Sequence, residues 1–360
     1  MYLAGHSDVL AGALISARAD AAWAQIVELR HDEGPYLGPF KAYLLICCAC
    51  RSAWSTRPIC STTWWPRWAR RNRMAALDLR IATCVALPEP DVDQAPLAAA
   101  LAAAGLSAAL VGWDDPAADW DAPIPTLVRA TWNYPVAPAA FLAWVDRASA
   151  AAPMLNPPDV VRGNLDKRYL LELAARGVPV VPTVLVERGQ TCELAAIAAP
   201  SVVIKPAIGA ASMATRRFAP GDPAALAHLA AITAERAALV QPYVASVEGP
   251  GERALVWIDG ELSHAVRKRP RFTGDAEQVD GPVAIADDER AVAEAALAPV
   301  AGRILYGRVD VARDTAGQPM VMELELIEPS LYLTRCPRAL DRFVAAIRRA
   351  LAVQPPGAMR

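Results

Sequence analysis

A chain of 360 residues is long enough to bury a large core and to divide into two or three domains. Its 36 basic residues are balanced by 38 acidic ones, so no net field recruits nucleic acid or an anionic membrane, and partners must be read from individual sites. The 54% hydrophobic fraction is inflated by alanine, which contributes little to membrane insertion.

The first 73 residues do not match the rest. Residues 2–14 (YLAGHSDVLAGAL) and 31–46 (HDEGPYLGPFKAYLLI) resemble a truncated fragment of the pyridoxal-phosphate-dependent enzymes of cysteine and methionine metabolism. In that family a lysine precedes the tyrosine of this motif, and here Met1 stands at that position. Without the amine no internal aldimine forms, so pyridoxal phosphate is not expected as a cofactor. The segment that follows carries Cys47, Cys48, Cys50 and Cys60 among tryptophans and arginines. Its cysteines lack paired C-x₂-C spacing and no histidine follows in range, which argues against zinc. Residues 1–73 read as a gene-fusion remnant or a misassigned start, with Met74 the true beginning. Asp8 interrupts any early apolar stretch, so no signal peptide is expected and the default is a reduced, cytoplasmic protein.

From Met74 the pattern alternates between strand and helix. AALDLRIATC reads as a strand, residues 93–104 as a helix ending at Gly105, and SAALVGW and TLVRATW as two further strands, giving a small α/β domain with parallel connections over about 74–160. The uncharged run 94–113 is thus a helix and a strand rather than a membrane span. Arg129, Trp132, Asn133 and Tyr134 stand at the carboxyl end of the third strand, where open α/β sheets bind ligands. They are candidate substrate contacts, against the alternative of a structural strand end with a buried tryptophan.

In GNLDKRYLLELAARGVPVVPTVLV, Asn164 reads as an N-cap and Gly177 as the stop of one helix. Lys167 and Arg168 then fall in its first turn, where cations either turn to water or share free N–H groups with an anion. SVVIKPAIGAAS reads as a buried strand delivering Lys205 to a small-residue loop, 207–212, whose backbone can approach phosphate oxygens. Asp259-Gly260 marks a two-residue hairpin whose facing indices sum to 519, which places Glu252 opposite Arg267, with His264 and Lys268 on one strand face. Residues 308–312 and 319–326 read as a second hairpin around Gly317. Facing indices of about 632 to 634 put Asp310 opposite residues 322–324, and Glu325 shares a face with Glu323. Three carboxylates then point at one small volume, an arrangement that Mg²⁺ relieves when it also carries phosphate oxygens. The alternative is an acidic edge neutralised by Arg303, Arg308 or Arg313.

Lys167, Lys205, the Gln241-Pro242-Tyr243 linker, Glu252, Lys268, Arg308, Asp310 and Glu323-Leu324-Glu325 follow the order and spacing of the ATP-grasp superfamily. Residues 74–350 resemble its glutathione-synthetase-like branch, and within it the group of the cyclo-ligase of D-cycloserine biosynthesis, through ATWNY, NLDKRYLLELAARGVPVVPT, IKPAIGAAS, GELSHAV and ELELIEPSLYL. The resemblance implies an ATP-grasp fold: a Rossmann-like first domain, then residues 161–350 as a small subdomain (about 180–245) and a large one (about 246–350) that clamp ATP.

It further implies that Lys167 and Lys205 contact the phosphates under the loop ending at Ser212. Gln241, Tyr243 and Val244 would line the adenine, and Glu252 the ribose. Asp310, Glu323 and Glu325 would bind Mg²⁺ (or Mn²⁺), with Lys268 and Arg308 at the reacting phosphoryl group and His264 beside the substrate. Glu325 departs from relatives that carry asparagine there, and the loop 207–212 is poorer in glycine than most. The chemistry implied is activation of a small carboxylate as an acyl phosphate for attack by an amine-type nitrogen, carried by a second substrate or by the same molecule. A non-catalytic ATP-binding protein and a pyridoxal enzyme are the alternatives. The helix near residues 337–352 could pack internally or pair into a homo-oligomer.

Overall fold

The computed structural model describes residues 77–219, 221–270 and 277–352, so the pyridoxal-enzyme-like stretch and the cysteine-rich segment lie outside the described residues. Everything below belongs to the compact unit Ala76–Arg360.

Four strands, β1 (Leu79–Thr83), β2 (Ala108–Gly112), β3 (Thr126–Ala130) and β4 (Met154–Leu155), form a parallel sheet in the order β2-β1-β3-β4. Strands β1 and β3 are buried along their whole length, as expected of central strands in a parallel sheet. The uncharged run is α1 (Gln94–Ala103), then Gly105 at φ +78, then β2. Only a residue without a Cβ takes that left-handed turn freely. Among the described residues no helix is long and apolar enough to cross a membrane. The helix α2 (Pro138–Ala151) packs Phe141 and Trp144 against Trp113 and Trp120, edge-on contacts that suit aromatic quadrupoles.

Two helices follow where the sequence predicts one. The helix α3 (Pro158–Asn164) ends before a turn, and α4 (Tyr169–Ala175) starts after it. Asn164 is therefore not an N-cap. Its amide donates to the Leu324 carbonyl at 2.8 Å and accepts from the Leu326 N–H at 2.7 Å, closing the outer edge of a distant strand whose open backbone groups demand partners.

A four-stranded antiparallel sheet, order β5-β8-β6-β7, comprises β5 (Val184–Val186), β6 (Val202–Pro206), β7 (Arg216–Phe218) and β8 (Ala238–Pro242). Behind it lies α5 (Pro223–Thr233), with Asp222 accepting from the Ala224 N–H as N-cap. The third sheet runs β11-β10-β9-β12-β13, from β9 (Glu252–Ile258), β10 (Glu261–Lys268), β11 (Val279–Val283), β12 (Tyr306–Arg313) and β13 (Pro319–Glu325). Alternation along β9 sends Leu255 and Trp257 toward α6 (Asp287–Leu297), and Ala254, Val256 and Ile258 toward α1 and α7 (Pro337–Ala352).

Both hairpins form. Asp310 faces Glu323, within the expected range, and Arg308 faces Glu325. The register of the other hairpin needs correction. An irregularity between Leu262 and His264 shifts the pairing by one residue, so Glu252 faces Lys268 and Arg267 faces Arg253. A bulge inserts one unpaired residue into one strand, and this one sets a carboxylate opposite an amine.

Asp93, fully buried, joins the first sheet's domain to the chain after β13. Its carboxylate accepts the N–H groups of Leu331, Tyr332 and Leu333 at 2.6, 3.0 and 2.7 Å, and Arg129 at 3.3 Å. Replacing Asp93 with alanine is expected to cost about 3–5 kcal/mol, because the Arg129 charge stays buried without its partner. Urea denaturation measures this, and a loss under about 1 kcal/mol would contradict the assignment.

Candidate active site

One cleft is lined by residues from all three sheets: Lys167, Lys205, Ser212, Gln241, Tyr243, Val244, Glu252, Lys268, Arg308, Glu323, Glu325, Trp132 and Tyr134. The sequence singled out each of these. Asp310, Arg129, Asn133 and His264 do not line it.

The turn between α3 and α4 splits its two cations. Arg168 points outward to Asp166 and Glu187. Lys167 turns inward, donates to the Gly209 carbonyl and pairs with Glu323 at 3.1 Å. Burial alone would lower its amine, but Glu323 holds it above the ordinary lysine value. Lys205 comes off β6 half-buried, and its amine makes no hydrogen bond or ion pair with any described residue. Burial pulls its pKa down against the field of Glu323. A desolvated, unpaired amine facing an open cleft is arranged to receive an anion. The loop beyond it reaches the needed curvature with little glycine, since Ala211, Ser212 and Ala214 themselves take φ of 49, 55 and 51. Such conformations cost roughly 1–2 kcal/mol per residue and occur at ligand clamps.

The chain crosses between the two antiparallel sheets through residues 241–252. Gln241 donates to the Thr183 hydroxyl at 2.8 Å, while Tyr243 donates to Glu248 at 2.8 Å and carries the Arg217 guanidinium 3.6 Å over its ring. These contacts engage the side chains of the segment and stiffen it.

On the opposite wall every ribbon carboxylate has a cation. Arg308 grips Asp310 with two N–H donors at 2.8 and 2.9 Å and also reaches Glu325. Lys268 lies 2.9 Å from Asp310 and 2.7 Å from Glu252. Burial would raise Asp310, yet Arg308 and Lys268 hold it well below the usual carboxylate range. Burial pushes Glu325 up to about 7, against the pull of Arg308 and with Glu323 adding to the rise. Of the three arginines that could neutralise this edge, only Arg308 does so. Arg303 pairs with Asp159, and Arg313 with Asp288 and Glu289.

The three acids do meet, since one Arg308 nitrogen bonds both Asp310 and Glu325 and Glu323 faces Asp310, but they do not all open into the cleft. Both oxygens of Asp310 are engaged behind the cleft wall, and among the described residues no group of three His, Cys, Asp or Glu side chains is arranged to hold a metal. Glu323 and Glu325 do face the cleft, with 27% and 26% of their side chains exposed. Two part-exposed carboxylates in the cleft that Lys205 also lines fit Mg²⁺, which is held by one or two acidic side chains plus substrate oxygens and waters rather than by an all-protein cage.

The substrate candidates divide. Trp132 donates its indole N–H to the Glu328 carbonyl at 3.0 Å, and Tyr134 is buried beside it. Arg129 is an interior partner of Asp93, and Asn133 binds Asp114 and accepts from the Trp113 indole. His264 is buried with Nε2 3.0 Å from the Leu331 carbonyl, so that nitrogen carries the proton and donates. Burial lowers the pKa of His264. Below about pH 6.5 the unfolded chain binds a proton that the folded imidazole resists, so stability falls as pH drops from there through the folded pKa. His264→Gln keeps a donor to Leu331 and should flatten this acid-side slope of Tm; an unchanged slope would exclude His264 as its source.

Sequence reasoning missed Asn164 as a clamp, Tyr169, whose hydroxyl accepts from the Leu324 N–H at 3.1 Å, and Glu328. Burial, with Glu325 adding to it, pushes Glu328 up to about 8. A buried acid next to Pro329 and off the parity of its ribbon was the available signal.

Comparison with known proteins follows the same lines. Residues 79–156 match the family model described as D-cycloserine synthetase DcsG, N-terminal domain. The chain is 36% identical over 299 residues to the cycloserine biosynthesis protein DcsG of Streptomyces lavendulae, across 75% of this chain and 97% of that one. The crystal structure of D-cycloserine synthetase DcsG matches at a TM-score of 0.69 and 36% identity, covering 76% of this chain and 99% of that one. A D-alanine–D-alanine ligase from Bacillus anthracis shares the fold at a TM-score of 0.58 and 14% identity, across 77% of this chain and 98% of the ligase.

Proposed function

Since this chain belongs to the ATP-grasp ligase family, a group of ATP-dependent ligases, we propose that it activates the carboxylate of a small amino-acid derivative as an acyl phosphate and closes a ring through that substrate's own nitrogen. The observation that carries the reading is the facing pair of walls in one cleft: on one side a Lys205 amine with no partner among the described residues, and on the other the half-open Glu323 and Glu325 carboxylates with Arg308. The likeness to D-cycloserine synthetase DcsG across nearly all of that protein supports ring closure as the outcome.

In this reading Lys167 and Lys205 hold phosphate oxygens, with the loop ending at Ser212 above them. Gln241, Tyr243 and Val244 present the adenine edge, and Glu252 meets the ribose hydroxyls. Glu323 and Glu325 hold Mg²⁺, with Asp310 behind them fixing Arg308 and Lys268. When bound, the metal supplies charge neutralisation on the phosphate oxygens. The γ-phosphoryl group passes to a carboxylate oxygen as ADP leaves, with Lys268 and Arg308 stabilising the transferred charge. The nitrogen then attacks the acyl carbon, inorganic phosphate departs, and the nitrogen gives up a proton. Binding both reactants in one cleft supplies proximity that solution lacks.

A phosphate-release screen of the full chain with ATP, Mg²⁺ and O-substituted serines, run with and without an added amine, tests this. Inorganic phosphate formed without any added amine is expected. Pyrophosphate as the product, or release that requires a second amine, would refute it.

A further inference from the structure

Four acids that line the cleft, Glu252, Glu323, Glu325 and Glu328, and Asp310 behind its wall are not treated alike. Glu252 and Asp310 pair with Lys268, Asp310 and Glu325 with Arg308, and Glu323 with Lys167. Glu328 is only 7% exposed, lines the same cleft, and has no Lys, Arg or His at ion-pair distance among the described residues. Tyr134 lies close enough for the two side chains to act on each other. Lys167 lies nearby but is committed to Glu323 and Gly209.

The position is built rather than accidental. The Trp132 indole N–H holds the Glu328 carbonyl at 3.0 Å, and Arg308 donates to the Ser330 carbonyl at 3.2 Å, so the loop is fixed on both sides of Pro329. Trp132 and Tyr134 both line the cleft beside the carboxylate. An acid desolvated this way is costly as an anion unless a cation meets it. Aromatic faces next to it add attraction for a cation and none for a neutral group.

Building on the carboxylate-activation reading above, we propose that Glu328, flanked by Trp132 and Tyr134, is the subsite for a primary ammonium carried by the substrate whose carboxylate is activated. The substrate is then a zwitterionic amino acid derivative, its carboxylate toward Arg308 and its ammonium toward Glu328. This also assigns an ordering role to the first domain, because Trp132 and Tyr134 come from the end of β3 and reach the cleft only there.

The test uses the full chain, ATP and Mg²⁺, with O-amino-D-serine, O-amino-L-serine and their α-N-acetyl derivatives as probes, and phosphate release as readout. The free α-amines are expected to be turned over and the N-acetyl compounds not. In Glu328→Gln, KM for the free amine should rise about ten- to a hundredfold, the range for losing a hydrogen bond to a charged group, while the ATP and Mg²⁺ requirements stay put. Glu328→Asp should recover part of the loss. Equal use of N-acetyl probes by the unaltered protein would overturn the proposal, and that result stands even if the variants fold poorly. A shifted Mg²⁺ requirement with an unchanged amine KM would also overturn it, making Glu328 a metal ligand. Silence of the unaltered protein with every probe would defeat the ligase reading and this subsite with it.

Discussion

Lys205→Ala should lower turnover by roughly 100- to 1000-fold, the usual loss when one preorganised donor to developing charge is removed, while the thermal midpoint stays unchanged or rises slightly. The two halves of this expectation have separate causes. Lys205 makes no ion pair with a described residue, so its removal strands no buried carboxylate. Burial already disfavours its charged form, so the folded state loses nothing by shedding it. Lys268 is the contrasting case, because Glu252 and Asp310 both depend on it, and Lys268→Ala would confound activity with folding. Circular dichroism and phosphate release on the same preparation separate the two effects for Lys205. Full turnover in a folded Lys205→Ala protein would remove it from the phosphate site.

Glu323→Gln should shift the Mg²⁺ concentration for half-maximal activity upward by at least the roughly hundredfold that loss of an outer-shell group can cost, with a smaller effect on the ATP requirement at saturating metal. Glu323 sits opposite Asp310 on the ribbon and is more open than it. Of the two, Glu323 can turn an oxygen toward a metal without breaking a bidentate arginine contact. The variant leaves Lys167 with the Gly209 carbonyl as its remaining partner, which moderates the stability cost. A Mg²⁺ titration of phosphate release reads the shift, and an unchanged half-saturation point would show that Glu323 is not a metal ligand.

Local pattern carried much of this protein. The pairing of Asp310 with Glu323 is legible in the glycine-centred ribbon to within one residue, because a turn and strand parity determine which indices face each other. Local pattern failed where distant groups decide. The bulge near Ser263 moved Glu252 from Arg267 to Lys268, and no turn residue signals a bulge inside a strand. Asn164 looked like a helix cap because caps and strand-edge clamps use the same side chain, and its true partners, Leu324 and Leu326, lie 160 and 162 residues away. Arg129 stood at a strand end that suited a ligand, yet Asp93 and the backbone after β13 claim that space. Glu328 fell off the parity of its ribbon, and only the Trp132 indole, 196 residues distant, shows that it returns to the cleft.

The acyl phosphate is the centre of this account, and following the carboxylate oxygen tests it most directly. With an O-substituted serine labelled with ¹⁸O in its carboxylate, the inorganic phosphate released during turnover should carry one labelled oxygen per molecule. Label recovered in AMP instead, with unlabelled phosphate, would mean that the carboxylate attacks the α-phosphorus and would contradict the mechanism assigned to this cleft.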